Sequence, residues 1–256
     1  MINAAKFTGA VLLIPVYPVI LLILLSLSFV LMADETRGNL SGFYMPESNL
    51  NIESAREFIK ALPDDAVLLE DAGYREFGAM EFGGLKPKPN ALKRAERWSP
   101  EEEIKPENTC KVPSVVYSMQ GPFPIEIDQG RDILVLRLEY FDLVRVIYMD
   151  GRNHLPVDVE HSVTGNSIGH WENGILVVDT THLSEGTITN NGLDHSENVH
   201  LVERFRLSPD GKQLWMTQLF EDPENLENRG ARFMAWKRVP DQHVLPYECN
   251  PFNYIE

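Results

Sequence analysis

The sequence predicts a mainly β fold: an antiparallel meander that closes into a β-barrel, or alternatively folds over as a β-sandwich. One transmembrane helix and a mostly irregular arm precede it. Three observations predict this. From Pro113 onward the apolar residues recur every second position, as in Phe123, Ile125 and Ile127, the period of a half-buried strand. The runs are separated by Asn173-Gly174, Asp150-Gly151 and Asp210-Gly211. Such dipeptides supply the positive φ of tight hairpin turns. Finally, the chain carries no strand–helix alternation, no GxGxxG and no P-loop, so a nucleotide-binding α/β fold and its cofactor are not expected.

The organisation follows in three parts: 1–33, 34–112 and 113–256. Residues 7–33 read FTGAVLLIPVYPVILLILLSLSFVLMA, without a charge. This run exceeds the roughly 20 apolar residues that span a bilayer. Its last candidate cleavage site, Leu31-Met32-Ala33, begins with a large residue, which favours an uncleaved anchor over a cleaved secretory signal. Lys6 before the run and Asp34-Glu35 after it place the N-terminus inside and the remainder outside. In a bacterium this predicts an inner-membrane anchor and a periplasmic domain, with secretion after cleavage as the alternative. Residues 34–50 read as irregular. Ser54 with Glu57 forms a capping-box pattern, and Ala55, Phe58, Ile59 and Leu62 share a helix face that Pro63 ends. Residues 63–112 are rich in Pro, Gly and charge and read as a long arm with short helical pieces.

The strands expected beyond the arm are 123–127, 132–140, 144–149, 168–172, 175–180, 198–207, 213–220 and 232–238. Closure into a barrel, or stacking into a sandwich, hides the edges of such a sheet. The barrel form is lipocalin-like by analogy of fold alone, which licenses no function.

Composition excludes some partners. Of 256 residues 43% are hydrophobic, enough for a core, and 23 Lys+Arg against 38 Asp+Glu give a net charge of −15. An acidic chain of this kind lacks the basic footprint that nucleic acid requires. Cys110 and Cys249 are the two cysteines, and no Cys/His spacing suits a metal. In an oxidising compartment one bridge between them is expected, closing a loop worth on the order of 4–5 kcal/mol; two buried free thiols are the other reading.

Five of the seven histidines fall within 161–205. A two-residue turn at Asn173-Gly174 fixes a register. It opposes His170 to Val177 and Ile168 to Asp179, with Ile168, His170, Glu172, Ile175, Val177 and Asp179 on one face. His170 and Asp179 are then diagonal neighbours, and a carboxylate beside an imidazole suits general-base chemistry. His195 and Glu197 share a strand face and are a second candidate half-site, whereas His195 and His200 have opposite parity. Glu203 shares the parity of Leu201 and Phe205, which makes it a buried carboxylate in need of a partner if that face is interior; a residue near the rim is the other reading. Trp171, Trp215 and Trp236 are expected in the core.

Asn39-Leu40-Ser41-Gly42-Phe43, Tyr148-Met149-Asp150-Gly151-Arg152, Ser167-Ile168-Gly169-His170-Trp171-Glu172, Leu176-Val177-Val178-Asp179-Thr180, His195-Ser196-Glu197 and Glu203-Arg204-Phe205 together resemble the pattern of a broad family of exported bacterial proteins without an assigned activity. The chain departs from that pattern at Cys110-Lys111-Val112-Pro113, where the family has Cys-x-Pro, and in its long apolar N-terminal run. The resemblance implies export and supplies no activity.

Three functional expectations follow. The first is a membrane-tethered periplasmic barrel that binds a small apolar ligand or serves as an accessory subunit of a membrane complex, without metal or cofactor. The second is an acid–base hydrolase or isomerase acting on a small exported substrate through His170, Asp179, His195 and Glu197, which must then converge on one pocket. A metal-dependent enzyme is a third and weaker reading.

Overall fold

The computed structural model describes residues 37–47, 52–71 and 75–251. The expected transmembrane segment, 7–33, lies outside the described residues; among those described, no helix is long and apolar enough to cross a membrane.

Twelve strands are described: β1 Gly42–Pro46, β2 Ala66–Leu68, β3 Ile125–Gln129, β4 Ile133–Leu138, β5 Val144–Tyr148, β6 Asn166–Glu172, β7 Ile175–Thr181, β8 Gly186–Thr189, β9 Leu193–His195, β10 His200–Leu207, β11 Gln213–Glu221 and β12 Arg229–Val239. The large sheet runs β1-β3-β4-β5-β6-β7-β10-β11-β12, and β1 pairs back onto β12. That last pairing closes a nine-strand barrel and decides against the sandwich. The closing stave, β1, comes from the segment read as irregular. Its alternation is five residues long and bounded by Gly42 and Pro46, too short to register as a period.

The β6–β7 register agrees with the expected one: Ile168 opposes Asp179, His170 opposes Val177, and Glu172 opposes Ile175. The barrel departs from a pure antiparallel meander at one seam. β5 and β6 pair in parallel, because residues 149–165 cross over instead of turning tightly. β2 also adds to β12 in parallel, outside the closed ring.

The interior holds alternate residues of each stave: Leu134, Leu136 and Leu138 of β4, Leu201 and Phe205 of β10, and Leu214, Met216 and Phe220 of β11 are all buried. Gly169 sits where a β-carbon would fall 2.5 Å from the Met149 sulfur, so a side chain there would collide with the core. The short helix Val115–Ser118 lies over the interior: Val115, Val116 and Met119 are buried, and the Val115 and Val116 carbonyls accept from Gln218 and Arg232. The helix near residue 54 runs Arg56–Ile59 with Ala55 as N-cap, so the expected capping box is not formed. It packs Phe58 on Trp215, outside the barrel.

Two ion pairs are buried within this apolar interior. Glu203 is interior, not at the rim, and its partner is Arg145: Nη2 lies 2.5 Å from Oε2, and neither side chain is exposed. Arg145 also donates to the Ser167 and Thr180 hydroxyls. The second guanidinium, Arg232, donates to both oxygens of Asp71, to Gln218 and to the Val116 and Ile188 carbonyls. It therefore ties β12 to the arm, the short helix and β8 at once.

Candidate functional site

The structure separates the four residues singled out from the sequence. His170 is exposed on the outer face and contacts Glu172 Oε1 at 2.9 Å. Its ladder partner is Val177, and both oxygens of Asp179 are occupied elsewhere, so the expected diagonal contact is replaced by a same-strand one. Glu197 is exposed in a turn between β9 and β10. His195, the last residue of β9, is fully buried. The turn also puts His195 and His200 on different strands, so parity along one strand is not what separates them.

Asp179 has two other imidazoles. His154 Nε2 lies 2.8 Å from Oδ1, and His200 Nε2–H donates to Oδ2 at 2.9 Å. His154 Nδ1 is 3.0 Å from Asn166 Oδ1, which also accepts the Leu155 amide. His200 Nδ1 faces Glu221 at 3.5 Å. The Thr181 hydroxyl bridges to His182, whose Nε2–H donates to the Pro156 carbonyl. This network fastens the 149–165 crossover to β6, β7 and β10. Nothing in the sequence pattern marks His154, because it lies in a coil 25 residues from Asp179.

The network is proton-linked. The hydrogen bond to Asp179 and the nearby Glu221 hold the His200 imidazole above its ordinary range, against the effect of burial. Burial pushes the Asp179 carboxyl up, and the two imidazoles outweigh it, leaving it below the usual carboxylate range. The raised His200 contributes fully below its unfolded value of about 6.5, and the contribution vanishes as pH rises through the folded value. The depressed Asp179 contributes fully above about 3.9, and that contribution vanishes as pH falls through its folded value. The fastening is therefore strongest between about pH 4 and 6.5. Corrected for intrinsic rate, amide exchange at Leu155 will quicken from pH 6 to pH 9, and His200→Asn will flatten that response; an identical response in both proteins would show that the crossover is not held this way.

The ring-rich part of the surface lies elsewhere. Phe123 and Tyr140 stack with centroids 4.5 Å apart. Tyr247 stands edge-on to both, at 5.6 and 5.5 Å, and Phe141 adds a fourth ring at 4.7 Å from Tyr247. Together with Tyr117, Gln120, Arg75 and Glu76 these rings, Phe141 apart, border a cleft of ≈ 430 Å³, within the size range of small-molecule sites. Burial pushes the Tyr117 and Tyr140 phenols up, and each is raised further by Glu76, so both stay protonated and able to donate. A larger cleft, ≈ 550 Å³ beside Arg238 and Asp241, is bordered by one phenyl ring, Phe43, and lacks such a platform.

A C-terminal strap completes the aromatic cleft. Residues 240–251 run along the barrel, held by carboxylates: Glu126 accepts from His243 and Val244, Glu139 from the Leu245 amide, and Asp142 from the Tyr247 amide. Two residues beyond Tyr247, Cys249 is disulfide-bonded to Cys110. The two cysteines are bridged, which decides against two buried free thiols, and no described cysteine is free.

Fold and sites define the chain as a closed, disulfide-bonded β-barrel with a strapped aromatic cleft. No family model matches it, and neither does any curated protein. Among solved structures it is similar to a luciferase domain from the dinoflagellate Lingulodinium polyedrum, at 14% identity and a TM-score of 0.32, covering 81% of this chain and 44% of that one. The chain thus spans less than half of that neighbour's length.

Proposed function

We propose that this chain is an exported, membrane-tethered β-barrel module that binds a small planar apolar ligand in the cleft between Tyr117, Phe123, Tyr140 and Tyr247. One observation carries the reading: the strap sets Tyr247 edge-on to the Phe123–Tyr140 stack, and the strap is covalently pinned by Cys110–Cys249. Rigid aromatic surface with donor hydroxyls at its edge binds flat apolar molecules at low entropic cost. The barrel lumen supports this reading less well, since buried side chains and two ion pairs occupy it. Export is supported by the disulfide and tethering by the apolar run at 7–33.

The test is binding of fluorinated aromatic fragments, read by ¹⁹F relaxation on the full chain in detergent. At least one fragment class is expected to bind with a Kd below about 1 mM, some 4 kcal/mol. Tyr247→Ala should weaken it tenfold or more while the melting transition is retained. Failure of every planar fragment, or equal affinity in Tyr247→Ala, would sink this reading.

A further inference from the structure

We propose, on the reading that the aromatic cleft is the binding site, that its ligand is a neutral nitrogen heterocycle whose edge sets an N–H donor beside a C=O acceptor, as in a ring lactam, and that Gln120 recognises that edge. Five buried side-chain carboxamides are described: Gln120, Asn166, Asn191, Gln218 and Asn225. Four of them are paired within the fold. Asn166 accepts from the Leu155 amide, and Asn191 donates to the Gly78 and Glu81 carbonyls. Gln218 donates to the Val115 carbonyl and accepts from Arg232. Asn225 donates to the Asp194 carbonyl and accepts from Arg94. Gln120 is the exception. It is 5% exposed and borders the cleft, yet among the described residues its one hydrogen bond runs from the backbone N–H to the Tyr117 carbonyl.

Buried polar groups are rarely left unpaired, and a buried amide without a partner costs about 1–3 kcal/mol. The fold nevertheless holds this one firmly in place. Gln120 follows Tyr117 by three residues, one turn, a spacing that puts neighbouring side chains together. Both leave the short helix Val115–Ser118, which is tied to the barrel where its Val115 and Val116 carbonyls accept from Gln218 and Arg232. The unpaired carboxamide and the Tyr117 ring therefore belong to one anchored piece of the cleft wall.

A primary carboxamide presents an N–H donor and a carbonyl acceptor side by side. A ring lactam presents the reciprocal pair at its edge and a flat face to the neighbouring Phe123, Tyr140 and Tyr247 rings, so one molecule answers both features of the cleft. The ligand is neutral because the cleft offers little to an anion. Arg75 is ion-paired with Glu70 at 3.0 Å, and Glu76 borders the same cleft, within a chain of net charge −15.

The experiment compares three flat fragments by ¹⁹F relaxation on the full chain in detergent: a fluoroquinolinone, which carries the lactam edge; its N-methyl derivative, which lacks the donor; and fluoronaphthalene, which lacks both groups. The lactam is expected to bind at least about tenfold tighter than either of the others, a difference of about 1.4 kcal/mol. Gln120→Met keeps the side chain's length and removes both polar groups; with its melting transition retained, it should lose that preference. A second measurement needs no variant: the Gln120 side-chain NH₂ resonances should shift on adding the lactam and stay in place on adding fluoronaphthalene. Equal affinities for the three fragments would overturn the lactam reading and leave the aromatic cleft standing, whereas no binding by any of them would overturn both. A preference that survives Gln120→Met, or NH₂ resonances that ignore the lactam, would overturn the role of Gln120.

Discussion

Arg145→Met will destabilise the folded chain by about 3–5 kcal/mol, the usual cost of stranding one partner of a buried ion pair. Both side chains are fully buried, and the pair is made at 2.5 Å. Replacing the arginine leaves Glu203 charged within a wall of Leu201, Phe205 and Val178, with no water to solvate it. Glu203→Leu alone should cost a similar amount. The double variant should not cost the sum. Arg145 Nη1 and Glu203 Oε1 make no hydrogen bond, so the pair's own desolvation is only partly offset. Replacing both by apolar groups of matching volume should therefore cost less than either single change. Urea unfolding of the four proteins measures this directly. Additive losses would show that the pair is not a coupled unit.

The second large effect is covalent. Removing the bridge by Cys110→Ser with Cys249→Ser frees a loop of 139 residues, for which the chain-entropy model gives about 5 kcal/mol. The urea midpoint should fall by about 1 M or more. The loss should also be regional. The strap is otherwise held by exposed carboxylate contacts from Glu126, Glu139 and Asp142, each worth little in water. Amide exchange should therefore quicken first at Leu245 and Tyr247, before the barrel staves respond. A variant that loses less than about 1 kcal/mol, with the strap amides still protected, would show that these contacts suffice without the bridge.

Much of the barrel was legible because its signals are local. Asn173-Gly174 set the β6–β7 register residue by residue, and parity put Glu203 on the face of Leu201 and Phe205 without deciding whether that face is interior. The bridge was one of two readings open to a single pair of cysteines, and Cys110–Cys249 is the one formed. What escaped the sequence is long-range. β1 is five residues of unremarkable alternation, and only its pairing with both β3 and β12 makes it the closing stave. The parallel β5–β6 seam depends on where a coil crosses, which no dipeptide encodes. The sites escaped for the same reason. His170 and Asp179 were placed correctly in the ladder, yet Asp179 is claimed by His154 and His200 from a coil and a neighbouring strand. Gln120 and the four rings of the cleft come from three separate segments. Asp71, which anchors Arg232, sits in the arm with no pattern to announce it.

The claim that matters most is where a ligand sits. It is tested by intermolecular NOEs from a bound planar fragment to the assigned ring protons of the full chain. Contacts to Tyr140 and Tyr247, with Tyr117 at the edge, are the predicted result. NOEs confined to the outer barrel face around Ile168, His170 and Val202, with none to Tyr140 or Tyr247, would contradict it.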